Sequence, residues 1–269
     1  MPISQRNQIS KSPLGLRQSK YQKNMSKKSY FYYSEENDPN IFEYKITQYM
    51  RLDYLFELLE TNKYHVTKRG EFEDAFEIAP VNPFLVSLEP AEDYFKKDKD
   101  RTKAYKKREQ IEKDCKDLAK FPISCWCKKE NESSMMWKLY AHKIGACIKT
   151  TVSKFIDSID LDLSAENVDK IVCGSINYRK MPCYPDEKGM FFTKDIGYSE
   201  EEEFRFYFDF NKFVDNDKKF AKIPIRTKEM IDEIILSPFI SKKSADIFTE
   251  MIKEKYGIEN VKHSNMRIK

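Results

Sequence analysis

The chain has 269 residues, with 48 Lys and Arg against 44 Asp and Glu, and 19 Phe with 16 Tyr. That length suits one large domain, and the aromatics supply a sizeable core. Only seven Gly are present, and neither G-x-G-x-x-G nor G-x-x-x-x-G-K-[ST] occurs, which argues against a Rossmann or P-loop nucleotide site. The three His lie far apart, and the six Cys form no C-x-x-C, so a zinc enzyme is disfavoured and no metal is expected. No nucleophile elbow is visible. No apolar leader or run of membrane-spanning length is present, and scattered Cys predict a reducing, cytoplasmic location with no membrane partner.

Charge is unevenly placed. Residues 1–30 carry seven basic side chains (Arg6, Lys11, Arg17, Lys20, Lys23, Lys27, Lys28) and no acid. The 48 basic residues less these seven leave 41 against 44 acidic ones, a formal −3 for the remainder. The arm has little to bury and is expected to be disordered. It suits a solubilising tail first, and contact with nucleic acid or an acidic partner second. Residues 31–269 read as one domain.

In chain order, 41–47 reads as a strand and 50–62 as a helix with an apolar stripe of Leu52, Leu55, Phe56, Leu58 and Leu59. A short strand is expected over 63–68, then an acidic loop over 70–77. There Asp74, with Glu201 and Glu203, is a candidate acid, base or metal ligand for hydrolysis; the plain reading makes Asp74 and Glu77 caps of the following segment. Residues 91–120 interleave basic and acidic side chains and are expected to form one or two inserted, solvated helices. Strand 121–127 follows, in which Cys125 and Cys127 share a face as small core residues. A short helix over 132–141 presents Met136, Trp137, Leu139 and Tyr140. Strand 144–152, helix 153–159 and strand 171–178 come next, then a Pro-containing loop over 181–190. Segments 222–225, 228–236 and 245–256 complete an α+β pattern: a mixed central sheet split into two parts with flanking helices.

The chemistry-bearing stretch is S-E-E-E-E-F-R-F-Y-F-D-F, residues 199–210. Phe204, Phe206, Phe208 and Phe210 alternate with Glu201, Glu203, Arg205, Tyr207 and Asp209. Such alternation predicts a strand with one buried face. The opposite face then carries Glu201 and Glu203 beside Arg205, a row suited to stabilising a cationic reaction centre, or to a solvated, self-paired surface.

Ser124-Cys125-Trp126, Glu132-Ser133, Met136-Trp137, Leu139-Tyr140, Gly145 and Ile148-Lys149-Thr150-Thr151 together resemble a bacterial domain-of-unknown-function family, numbered twenty-nine seventy-one. That family shows S-C-W, E-S-x-x-M-W-x-x-Y, a Gly and an I-x-T-T strand. Phe72 to Glu77 is similar to its F-N-D-P-F-E loop, with Glu73 for Asn and Ala75 for Pro. Lys194 with Glu201-x-Glu203-Phe204-Arg205, the segment from Ile231 to Phe239, and Val261 to Ser264 also match. The resemblance covers about residues 40–265 and names no activity.

A second resemblance is to ADP-ribosyltransferases of the arginine-serine-glutamate type. Tyr44-Lys45, Ser124-Cys125-Trp126 and Glu201-x-Glu203 follow the order of their three elements, with Lys45 in place of the usual Arg. This resemblance implies an NAD-consuming enzyme: a toxin or antiphage effector with a protein or nucleic-acid acceptor and a neutralising partner protein. It implies Glu203 as the carboxylate facing the ribose, Glu201 orienting the acceptor, Ser124 orienting the ribose, and Lys45 on a phosphate. Trp126, Trp137 or Tyr140 would stack on a ring of NAD. Each residue also has a plain role: Trp137 and Tyr140 as core anchors, Ser124 satisfying a backbone group, Lys45 on the surface, Arg205 neutralising Glu203. A non-catalytic binding module and a carboxylate-dependent hydrolase are the competing readings.

Overall fold

The computed structural model describes residues 30–32, 40–68, 122–161, 170–179, 192–209 and 219–267. The fold is α+β. Twelve described strands are β1 (Tyr30–Tyr32), β2 (Lys45–Arg51), β3 (Lys63–Lys68), β4 (Pro122–Cys127), β5 (Gly145–Thr151), β6 (Lys170–Ser175), β7 (Asn177–Arg179), β8 (Thr193–Asp195), β9 (Glu203–Asp209), β10 (Phe220–Pro224), β11 (Glu233–Leu236) and β12 (Val261–His263). The α-helices are α1 (Leu52–Thr61), α2 (Ser134–Met136), α3 (Val152–Ser158), α4 (Thr227–Met230) and α5 (Lys242–Tyr256).

Ten strands form one mixed sheet in the order β1-β6-β9-β4-β2-β5-β11-β12, with β3 and β10 branching off β4. The two-part sheet expected from sequence is therefore one hydrogen-bonded sheet that forks. The fork arises because β4 pairs with β9 over five positions, but meets β2 only at Thr47–Cys127 and β3 only at Thr67–Ile123 and Lys68–Pro122. β7 and β8 form a separate two-stranded parallel ribbon.

The Phe strand sets the two faces. Phe204, Phe206 and Phe208 lie opposite Trp126, Ser124 and Ile171 across the ladders, and all are buried. Phe155 of α3 packs on this face, 4.5 Å from the Phe206 ring and 5.0 Å from that of Trp126. Leu52, Leu55, Leu58 and Leu59 of α1 and Ala245 and Ile252 of α5 complete this core. The other face gathers Tyr49, Cys127, Trp137, Ala141, Cys147 and Ile235 into a smaller core. Burying both faces explains the consecutive apolar residues Ile234, Ile235 and Leu236 of β11.

Several expected boundaries shift. The first segment is a 3₁₀ turn (Ile41–Glu43) before β2 begins at Lys45. Segment 228–236 divides into α4 and β11, and 171–178 into β6 and β7. The helix expected at 132–141 is one α turn capped by Ser133, widening into a π turn (Trp137–Ala141). The arm's last residue, Tyr30, already pairs with Ile171. The acidic loop 70–77 with Asp74 and Glu77, the insertion 91–120, the loop 181–190 and residues 1–29 lie outside the described residues.

Candidate functional site

Glu203 opens β9, directly opposite Cys127, with Arg205 opposite Cys125 and Gly174. Arg205 grips Glu203 with two donors: Nε to Oε1, and Nη2 to Oε2 at 3.0 Å. Glu201 does not lie on the strand. It ends a 3₁₀ helix (Ile196–Glu201), and Glu202 turns the chain into β9 through a left-handed conformation, φ 44°. Period-two alternation runs on into Glu201, but the ladder to β4 begins only at Glu203, which corrects the strand assignment.

Lys194 of β8 joins the two carboxylates. Its ammonium donates to Glu201 Oε2 at 2.8 Å and to Glu203 Oε2 at 3.4 Å. Tyr140 donates its hydroxyl to Glu201 Oε1 at 3.0 Å. The Glu203 backbone N–H donates to the Tyr178 hydroxyl at 2.7 Å, and Tyr178 sits beside Lys194 across the β7–β8 ribbon. The Cys125 thiol also bonds the Glu203 carboxylate. Two cations thus meet two anions, each residue between 1% and 7% exposed. The row that sequence allowed to be a solvated surface is buried.

Burial is the largest influence on Glu203 and raises its pKa. The Arg205 charge and hydrogen bond, then Lys194, outweigh it, so the carboxyl is held below its ordinary value and ionised at neutral pH. Burial, then the Glu201 charge, pushes the Tyr140 phenol up. Burial does the same at Tyr178. Both phenols are therefore hydrogen-bonding groups at neutral pH.

The backbone around this network is strained. Among the described residues, three non-Gly residues adopt positive φ: Asn62, His142 and Glu202. Asn62 caps α1, an ordinary place for asparagine. His142 (φ 53°, ψ −155°) ends the π turn that carries Tyr140, and Glu202 follows Glu201. Such conformations cost roughly 1–3 kcal/mol each and concentrate at functional sites, as do π turns. Tyr140 and Tyr198, at 43% and 38% exposed, carry the network to the surface. The Lys194 ammonium lies 4.5 Å from the Tyr198 ring centroid.

The remaining expected site residues go elsewhere. Ser124 and Trp126 lie on the opposite face of the sheet from Glu203, because they pair with Phe206 and Phe204. The Ser124 hydroxyl accepts from Trp126 Nε1 at 2.7 Å and bonds the Tyr64 hydroxyl. Its partners are thus side chains rather than the backbone. Lys45 is 70% exposed and meets Glu130 at 3.7 Å. Tyr44 packs edge-on against Phe204 at 6.3 Å. Trp137 is fully buried, its indole N–H donating to Glu132 Oε2 at 3.0 Å, where Ser264 also donates. The structure therefore joins Glu201, Glu203, Arg205 and Tyr140, and separates them from Lys45, Ser124 and Trp126.

Lys194, Tyr178, Tyr198 and Cys125 are the members that sequence reasoning did not place. Lys194 was visible in the K-…-E-x-E-x-R spacing, whereas nothing in the sequence marks Tyr178. Among the described residues, no group of three or more His, Cys, Asp or Glu is placed to hold a metal ion. No described helix is long and apolar enough to cross a membrane. A shallow depression of about 490 Å³, lined by Thr61, Asn62, Asp160 and Arg226 among others, contains none of the network residues. Within it, Arg226 pairs with Asp160 and Glu229. The chain matches no family model, no curated protein and no solved structure.

Proposed function

We propose that the protein is a cytoplasmic, NAD-dependent ADP-ribosyltransferase-like effector, of the toxin or antiphage kind, with Glu203 as its central carboxylate. The observation that carries this reading is the Lys194-bridged pair Glu201–Glu203, which flanks the strained Glu202 backbone and is bonded to the exposed Tyr140. Cleavage of the nicotinamide–ribose bond builds positive charge on the ribose. A carboxylate held ionised stabilises that charge. Glu203 has that property. Glu201, bonded to Tyr140, would orient the acceptor or take its proton. Lys45, Ser124 and Trp126 drop out of the proposed site. The acceptor is protein, or nucleic acid gathered by the basic residues 1–30. A neutralising partner protein follows from the toxin reading.

The second reading is a non-catalytic binding domain. Its supporting observation is charge balance: two cations and two anions, all buried, satisfy one another.

The test is nicotinamide release from NAD, with cell lysate as acceptor. Glu203→Gln alone leaves Arg205 uncompensated, which costs on the order of 3–5 kcal/mol, so lost activity there would not separate chemistry from folding. The pair Glu203→Leu with Arg205→Met removes both charges and keeps volume. The expected result is release by wild type, and none by a pair variant whose thermal midpoint stays near wild type. Full release by the folded pair variant overturns the assignment of Glu203. No release by wild type favours the binding domain.

A further inference from the structure

The Lys194 ammonium sits among three groups at once: the Glu201 carboxylate at 2.8 Å, the Glu203 carboxylate at 3.4 Å and the Tyr198 ring at 4.5 Å. Two carboxylates and an aromatic face around one positive charge are the elements that recognise an organic cation. Here the cation belongs to the protein. If Lys194 withdraws, Arg205 still neutralises Glu203, and the site is left short of a single positive charge. A monocation restores the balance. Among the described strands, β8 pairs with β7 and not with the ten-stranded sheet. A shift of the Lys194–Glu201 segment therefore breaks no backbone hydrogen bond of the β4–β9 ladder.

We propose that Tyr198 and the two carboxylates form a cation subsite, occupied by Lys194 in this conformation and taken by a planar pyridinium ring when Lys194 leaves. The inference rests on the reading of Glu203 as an NAD site, since the nicotinamide ring of NAD is such a cation. Lys194 is then an internal stand-in for substrate, and the closed network is a resting state. Tyr140 and Tyr198 are its most exposed members, so the incoming ring meets them before the carboxylates.

The experiment is a ligand-observed NMR titration of the full chain with 1-methylnicotinamide, using neutral nicotinamide as control. Lys194→Met removes the cation and keeps the stem. It is expected to bind 1-methylnicotinamide at least tenfold more tightly than wild type, with nicotinamide unchanged. Equal affinity of the two proteins, or the same gain for the neutral ring, overturns the proposal. Tyr198→Ala removes an exposed ring and no charge, so it decides the matter if Lys194→Met does not fold. A several-fold loss of 1-methylnicotinamide affinity relative to wild type is expected, and no loss overturns the proposal. NAD cleavage is assayed on the same samples. Pyridinium binding without cleavage removes the transferase reading and keeps the subsite. Cleavage indifferent to Lys194 and Tyr198 removes the subsite and keeps the transferase.

Discussion

Glu203 is where charge, burial and hydrogen bonding meet. Its pKa lies below the ordinary 4.5 because Arg205 and Lys194 overcome the cost of burial. A carboxyl whose folded value is depressed contributes stability that is complete above its unfolded value. That contribution is lost as pH falls through the folded value. Acid should therefore weaken wild type progressively from about pH 4.5 downward. The Glu203→Leu/Arg205→Met variant should lose less between pH 7 and pH 3, as read from urea midpoints. Equal acid sensitivity would mean that Glu203 is not held ionised by its partners. At this scale the sequence was informative about which residues carry charge and poor at saying what each one faces. Ser124 illustrates the limit. Its type and spacing fit a catalytic strand, yet its hydroxyl is committed to Tyr64 and Trp126 on the far face of the sheet.

The π turn is the element that brings Tyr140 to Glu201, and Gly145 is what lets it sit there. A Cβ at Gly145 would lie 2.3 Å from the Ala141 carbonyl oxygen and 2.6 Å from that of Met50. Both are backbone atoms, so neither yields as a flexible side chain would. Gly145→Ala should cost about 3 kcal/mol, the upper part of the usual overpacking range. For a domain of this size that lowers the melting temperature by roughly 6–12 °C. A midpoint within two degrees of wild type would show that the turn adjusts. The short helix was legible from its bulky anchors, Met136, Trp137, Leu139 and Tyr140. The π geometry was not, because a wider turn leaves no distinct residue pattern. The same holds in the Phe strand. Its alternation correctly gave the buried face but carried the strand two residues too far. Only the left-handed backbone at Glu202 shows where the ladder stops.

Over the whole molecule, the sheet holds its fork through Tyr64. Its hydroxyl donates to Gln48 of β2 at 2.8 Å and bonds Ser124 of β4, while its own strand is β3. One buried phenol thus ties the two branches where backbone pairing between them is sparse. Tyr64→Phe should destabilise by about 1–3 kcal/mol, the cost of leaving buried partners unsatisfied. The effect should be non-additive with Ser124→Ala in a double-mutant cycle of urea unfolding, because the two hydroxyls share one network. Additive costs would separate the fork from that hydrogen-bond chain. The motif pieces of the family-like pattern also come together at this scale. Glu132 accepts from both Trp137 and Ser264, so the E-S-x-x-M-W segment and the late Val261-to-Ser264 segment form one structural tie.

The α+β class, the helix over α1, the run of β3 and the alternation of β9 were determined by the sequence alone. Each is encoded in local periodicity, which contiguous residues carry among themselves. Which residues share a site was decided only by tertiary structure. The Ser124–Phe206 register puts that serine behind the sheet, and a separate ribbon supplies Lys194 to Glu201 and Glu203. Register and cross-strand placement depend on long-range pairing and packing, and no local pattern in the chain fixes them.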